Sequence, residues 1–168
     1  VKNKESVLDK GSWRIRKDGV DDVLEYYEKL KNKIDNNHNK IKEEMASWYD
    51  KLKANDPRKD HKHYKWSDDR GLYFPDNFAG PNDGRESRPR YDILHPLTKK
   101  SCKKPSTGWR WGEKRTLEAL QQEPPLIHFG ADETTIPCRK SYLKNTALEP
   151  FSSVFYKDGR SASKSVDE

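Results

Sequence analysis

The chain changes character at Asp56-Pro57, and that change limits the folds open to it. Before it, apolar side chains recur at every third or fourth position. One set is Val20, Val23, Leu24, Tyr27, Leu30 and Ile34, and the next is Ile41, Met45, Trp48, Tyr49 and Leu52. Such spacing lines one face of a helix. Asp21 and Asp22 in the first turn and Lys29, Lys31 and Lys33 toward the end suit the helix macrodipole. Asn36-Asn37 breaks the pattern, so the spacing predicts an antiparallel helical hairpin whose stripes face a core. After Pro57 only short β-like runs remain, at 63–66, 71–74, 90–94, 107–111, 126–129 and 153–156, separated by Gly, Pro, Asn and Asp. Weak strand character surrounds Trp13-Arg14-Ile15, Asp69-Arg70-Gly71 reads as a hairpin turn, and 79–84 is almost wholly turn chemistry. One more helix is predicted from Glu113 to Gln122, with Leu117 and Leu120 inward, ended by Pro124-Pro125. The expected fold is α+β: an N-terminal helical hairpin, then a small mixed or antiparallel sheet with one short helix. The expected divisions are 1–57, 58–160 and a loose linker at 161–168.

Only 31% of the residues are hydrophobic and 37% are charged, so the core must be thin. Five Trp, eight Tyr and five Phe compensate, because each ring brings a large apolar area. No apolar run approaches the roughly 20 residues that span a bilayer, and no membrane partner is expected. The N-terminus has neither an apolar signal region nor an initiator Met, which suggests a cytoplasmic piece of a longer chain. Cys102 and Cys138 lack a CxxC spacing and read as reduced thiols.

Basicity is local. Residues 85–115 hold ten cations, Arg85, Arg88, Arg90, Lys99, Lys100, Lys103, Lys104, Arg110, Lys114 and Arg115, against Glu86, Asp92 and Glu113. That local excess is larger than the +6 of the whole chain. Clustered Lys and Arg attract polyanions and gain affinity by releasing counterions. Tyr91, Trp109 and Trp111 add flat faces of the kind that stack on bases.

No catalytic constellation accompanies this patch. HExxH, GxSxG and Walker-type motifs are absent, and the lysines flanking His61-Lys62-His63 oppose a metal ion. Asp132, Glu133 and Lys140 have the residue types of a nuclease trio without its spacing. Phe78-Ala79-Gly80-Pro81-Asn82 approximates an FxGxG cofactor loop but lacks the second glycine, and Pro81 removes a donor. Glu123-Pro124-Pro125-Leu126 approximates the Asp/Asn-Pro-Pro-Tyr/Phe tetrad of amino-methyltransferases without its first and last residues. No catalytic, metal or cofactor-binding residue is assigned.

Several short motifs occur in a familiar order. Asp68-Asp69-Arg70-Gly71-Leu72-Tyr73 is followed by His95-Pro96-Leu97-Thr98, then by Pro105-Ser106-Thr107-Gly108-Trp109-Arg110-Trp111. Leu126-Ile127-His128-Phe129-Gly130 and Ile136-Pro137-Cys138-Arg139-Lys140-Ser141-Tyr142-Leu143 complete the series, and Gly11, Trp13, Arg16, Lys17, Asp18 and Gly19 precede the helices. This order resembles the central target-recognition region of bacterial adenine-specific DNA methyltransferases of the type III restriction-modification (Mod subunit) group. In that group the Asp/Asn-Pro-Pro-Tyr loop lies upstream and the S-adenosylmethionine loop downstream. The resemblance therefore implies an excised recognition segment without catalysis, whose parent uses S-adenosylmethionine.

Methylation of adenine N6 requires the base to leave the duplex, so such an enzyme must grip both strands. The resemblance implies double-stranded DNA, the rest of the methyltransferase chain and a restriction subunit as partners. Lys99, Lys100, Lys103 and Lys104 are the expected phosphate contacts, with Arg110 and Lys140 beside them. Asn77, Asn82, Arg85, Arg88 and Arg90 are the expected base readers, since Arg pairs with guanine and Asn with adenine. Trp109 and Trp111 belong to the shared pattern and are expected to be scaffold. The alternatives are a subunit-interaction spacer docking through the helical hairpin, and a stand-alone nucleic-acid-binding module.

Overall fold

The computed structural model describes residues 14–84 and 87–150, so the expected strand at 153–156 and the linker at 161–168 lie outside the described residues. The chain divides into two compact units. In the smaller, β1 (Arg14–Arg16) pairs antiparallel with β6 (Leu148–Pro150), Ile15 opposite Glu149. The Lys17 amide donates to the Ala147 carbonyl at 2.9 Å, extending this ribbon.

The larger unit, residues 18–146, contains the helices and a four-stranded antiparallel sheet. Helix α1 (Val20–Lys33) starts at Gly19, whose φ of 75° is left-handed. A Cβ there would lie 2.7 Å from the Arg58 amide nitrogen, so the start of α1 requires glycine. Asn37 caps α2 (His38–Lys51), its side chain accepting the Lys40 N–H at 3.1 Å. The two stripes bury Val20, Val23, Tyr27 and Leu30 on α1 and Ile41, Met45 and Tyr49 on α2. The predicted helical hairpin is present, and α2 packs on the sheet through β2 (Trp66–Asp68).

Strand order is β2, β3 (Gly71–Asp76), β5 (Cys138–Tyr142), β4 (Ile127–His128). Asp69-Arg70 forms the predicted tight turn between β2 and β3, with Asp68 opposite Gly71. The polar strand β5 is central, Tyr142 facing Tyr73 and Lys140 facing Pro75. Arg139 pairs with Asp76 across the strands. Helix α4 (Leu143–Thr146) follows β5 directly.

Two expected strands are absent. Residues 90–94 and 107–111 each make a single bridge, Leu94 with Ser101 and Ala79 with Trp109. The Trp109 amide donates to Pro89 and the Arg110 amide to Phe78, so these backbones bond to separate loop segments and no ladder forms. These loops enclose a second core of Phe78, Ile93, Trp109, Ala119 and Ile127. Helix α3 (Glu113–Leu120) covers it with Thr116 and Ala119, while Leu117, expected to face inward, is exposed. Thr116 faces inward because its hydroxyl meets the Tyr91 hydroxyl at 2.5 Å.

Candidate nucleic-acid interface

Residues 93–102 form a compact knuckle. The Cys102 amide donates to Ile93, the His95 amide to Lys100 and the Lys99 amide to His95, at 2.8, 2.8 and 2.9 Å. The buried His95 ring supports it from beneath, with Nε2 3.2 Å from the Gly130 carbonyl. A carbonyl only accepts, so Nε2 carries the proton and Nδ1 accepts from the amides of Leu97 and Thr98 at 3.4 and 3.3 Å.

All four lysines of this region are exposed. Lys100 meets Glu133 at 3.2 Å and Lys104 meets Asp92 at 2.9 Å. The Ser101 hydroxyl, 2.5 Å from Asp92, and then Lys104 hold the Asp92 carboxyl below the usual range. The Glu133 carboxyl is also lowered, by its own backbone N–H, then by the Thr98 hydroxyl and Lys100. Among the described residues, the ammonium groups of Lys99 and Lys103 have no partner, leaving two uncompensated charges.

The other expected contacts are not gathered here equally. Arg88 bonds Asp83 at 2.6 Å, and its side chain, 15% exposed, lies against Gly80 and Gly108, clamping the loop. Arg90 donates to the Ser106 carbonyl at 2.7 Å. Asn77 accepts the Ala79 amide at 2.9 Å, and Arg110 lies 3.5 Å from the Ala79 carbonyl with its side chain exposed. Asn82 is exposed at the loop tip, and Arg85 lies outside the described residues. Lys140 turns inward: its side chain is 9% exposed and its Nζ is 2.7 Å from Asp68, which also accepts the Tyr142 hydroxyl at 2.8 Å. Trp109 is fully buried with Nε1 donating to Tyr91 at 2.8 Å, so it offers no face to a base. Trp111 is half-buried, with the Arg115 guanidinium 4.2 Å over its ring.

No protein-family model matches the chain. Over its whole length, however, it is 32% identical to part of the Mod subunit of the type III restriction-modification enzyme EcoP15I from Escherichia coli. This chain is homologous to a segment of a type III Mod subunit. It spans 24% of the length of that relative.

The motifs that carry the resemblance turn out to be braces. Arg70, in the β2–β3 turn, donates to the carbonyls of Pro124 and Glu123 at 3.2 and 3.0 Å and to Gln122 at 3.1 Å. The stretch resembling a catalytic tetrad is thus a gripped turn. In the FxGxG-like stretch, Phe78 is core, the Gly80 amide donates to Gly108 at 2.8 Å and the Gly80 carbonyl accepts Thr107 at 2.8 Å. Its backbone groups are engaged internally, and it does not fit S-adenosylmethionine. Asp132, Glu133 and Lys140 have separate partners in Thr134, Lys100 and Asp68. His61 donates to the Asp18 carbonyl and His63 packs on Tyr64 and Phe74. Among the described residues no group of His, Cys, Asp and Glu is placed to hold a metal ion, and no helix is long and apolar enough to cross a membrane.

Sequence pattern does not single out the residues that shape the knuckle. Glu133 reads there only as part of a nuclease-like trio and His95 only as part of a motif, and neither reading points to the contacts with Lys100 and Gly130.

Proposed function

We propose that this chain is a DNA-recognition segment of an adenine-specific type III restriction-modification methyltransferase, acting in the bacterial cytoplasm and carrying no methyl-transfer chemistry of its own. In this reading the knuckle grips the phosphate backbone. Asn82, Arg85 and Arg90 meet base edges. The parent chain supplies the S-adenosylmethionine site, and a restriction subunit joins through other surfaces. The observation that carries the reading is the pair of uncompensated, exposed ammonium groups of Lys99, on the turn, and Lys103, just beyond the knuckle, in a chain homologous to a Mod segment. Arg88 and Lys140 support the loop and the sheet in this reading, since both are held by carboxylates. The hairpin's apolar stripes are buried in the unit's own interior, which disfavours them as a docking face for a second subunit.

Fluorescence anisotropy with a labelled mixed-sequence duplex at two salt concentrations tests this directly. Non-specific binding with a Kd of about 10⁻⁴–10⁻⁶ M that weakens with salt is expected. Lys99→Glu with Lys103→Glu should weaken it and reduce the slope of log K against log salt by about 2, one for each phosphate no longer neutralised. Binding that ignores both salt and the double variant would refute the proposal. These two positions are the informative ones, because reversing Lys100 or Lys104 would also set like charges beside Glu133 and Asp92.

A further inference from the structure

The tip of the knuckle carries apolar side chains where a water-facing turn ordinarily carries polar ones. Leu97 is 79% exposed and Leu94 59%, with Pro96 exposed between them. Neither leucine contributes to the buried core, so folding does not account for them. The turn that presents Leu97 is rigid. Its amide and that of Thr98 are held by His95 Nδ1, Lys99 closes the turn with a left-handed φ of 59°, and the ring beneath is anchored on Gly130. A side chain on a pre-ordered turn gives up little entropy when it enters a partner.

Charge says what kind of partner this is. Residues 94–104 contain four lysines and no acid, and Lys99 and Lys103 both follow the apolar tip in the chain. An apolar point accompanied by cations is complementary to a step in a duplex, where stacked bases lie beside rows of phosphates. Apolar side chains that enter such a step part the bases and kink the helix.

We propose that Leu97 is an apolar wedge that enters between adjacent base pairs of duplex DNA while Lys99 and Lys103 hold neighbouring phosphates, an inference that rests on the DNA-recognition reading above. Pro96 and Leu94 close over the parted step and keep water from it. The wedge needs no particular base sequence, so it acts beside the base readers and lowers the work of opening the duplex where they settle.

The test compares a fully paired duplex with the same duplex carrying one mismatch, where unstacking costs less. The chain is expected to bind the mismatched duplex about fivefold more tightly or better. Leu97→Ala should abolish that preference and change affinity for the paired duplex by less than about twofold, because the work of parting a paired step offsets the burial of the leucine within it. Leu97→Met, which keeps an apolar point of similar reach, should restore the preference. Leu97 is too exposed for either change to unfold the chain. A preference that survives Leu97→Ala, or its absence in the unaltered chain, overturns the wedge and leaves the DNA-recognition reading standing. No binding to either duplex at low salt overturns that reading and the wedge together. Binding to phosphatidylglycerol vesicles that is lost in Leu97→Ala, with duplex binding unchanged, assigns the tip to a membrane surface and likewise overturns the wedge.

Discussion

Without its ammonium group, Lys140 would leave the Asp68 carboxylate with only the Tyr142 hydroxyl and the Arg70 amide as donors, in a layer that water barely reaches. Removing one partner of a buried pair strands the other charge, and Lys140→Ala is expected to cost about 3 kcal/mol of stability in urea unfolding. The folded fraction should bind duplex DNA as before, and a selective loss of DNA affinity would instead make Lys140 a contact residue. Gly108 is a second sensitive position. Its φ is 77°, and a Cβ would stand 2.7 Å from that of Arg88. Gly108→Ala is therefore expected to cost about 2 kcal/mol, seen as a lowered midpoint in the same titration. Sequence alone does not reveal either arrangement. Lys140 looks like any surface lysine until a carboxylate 72 positions away is brought opposite it.

Elements whose geometry is set locally are legible in the sequence, and elements set by distant pairing are not. Helices α1 and α2 follow from apolar spacing and from Asn37 as a cap, all contained within a few residues. Strand β5 carries Arg139 and Lys140 in the centre of a sheet, so it has none of the alternation that marks a half-buried strand. Its polar side chains are tolerated because Asp76 and Asp68 meet them. Conversely, 90–94 and 107–111 are rich in β-forming residues yet form no ladder, because their backbone partners lie on different loops. The knuckle follows the same rule: the histidine that stiffens it acts through Gly130, 35 positions on. His95→Ala should speed amide hydrogen exchange at Leu97 and Thr98 more than at Cys102, whose donor bond to Ile93 is independent of the ring. Equal acceleration at all three would mean that the ring only fills space.

Across the larger unit, tyrosines supply much of what a thin core lacks, and they tie its stability to alkali. Burial first, then Glu28, Asp68 and Asp69, push the Tyr27 hydroxyl up to about 12, and burial likewise raises Tyr49, Tyr73 and Tyr142. A group whose pKa is higher folded than unfolded stabilises fully below its unfolded value. That contribution disappears as pH rises through the folded one. Stability should therefore hold to about pH 10 and fall steeply between there and about pH 12, with tyrosinate absorbance and loss of helical dichroism rising together. Tyrosines that titrate near pH 10 with no change in dichroism would contradict this. The helical stripes mark Tyr27 and Tyr49 as buried from the sequence, whereas the burial of Tyr73 and Tyr142 depends on strands paired across the chain.

The ribbon of β1 and β6 carries a consequence for how such segments change hands. Lys17 and Ala147 are joined by one hydrogen bond, so everything between them leaves and re-enters the ribbon at a single seam. A stretch whose two ends meet can be traded for another without stretching the scaffold that receives it. Such a closed-ended stretch can be replaced as a unit, its two ends returning to the same seam.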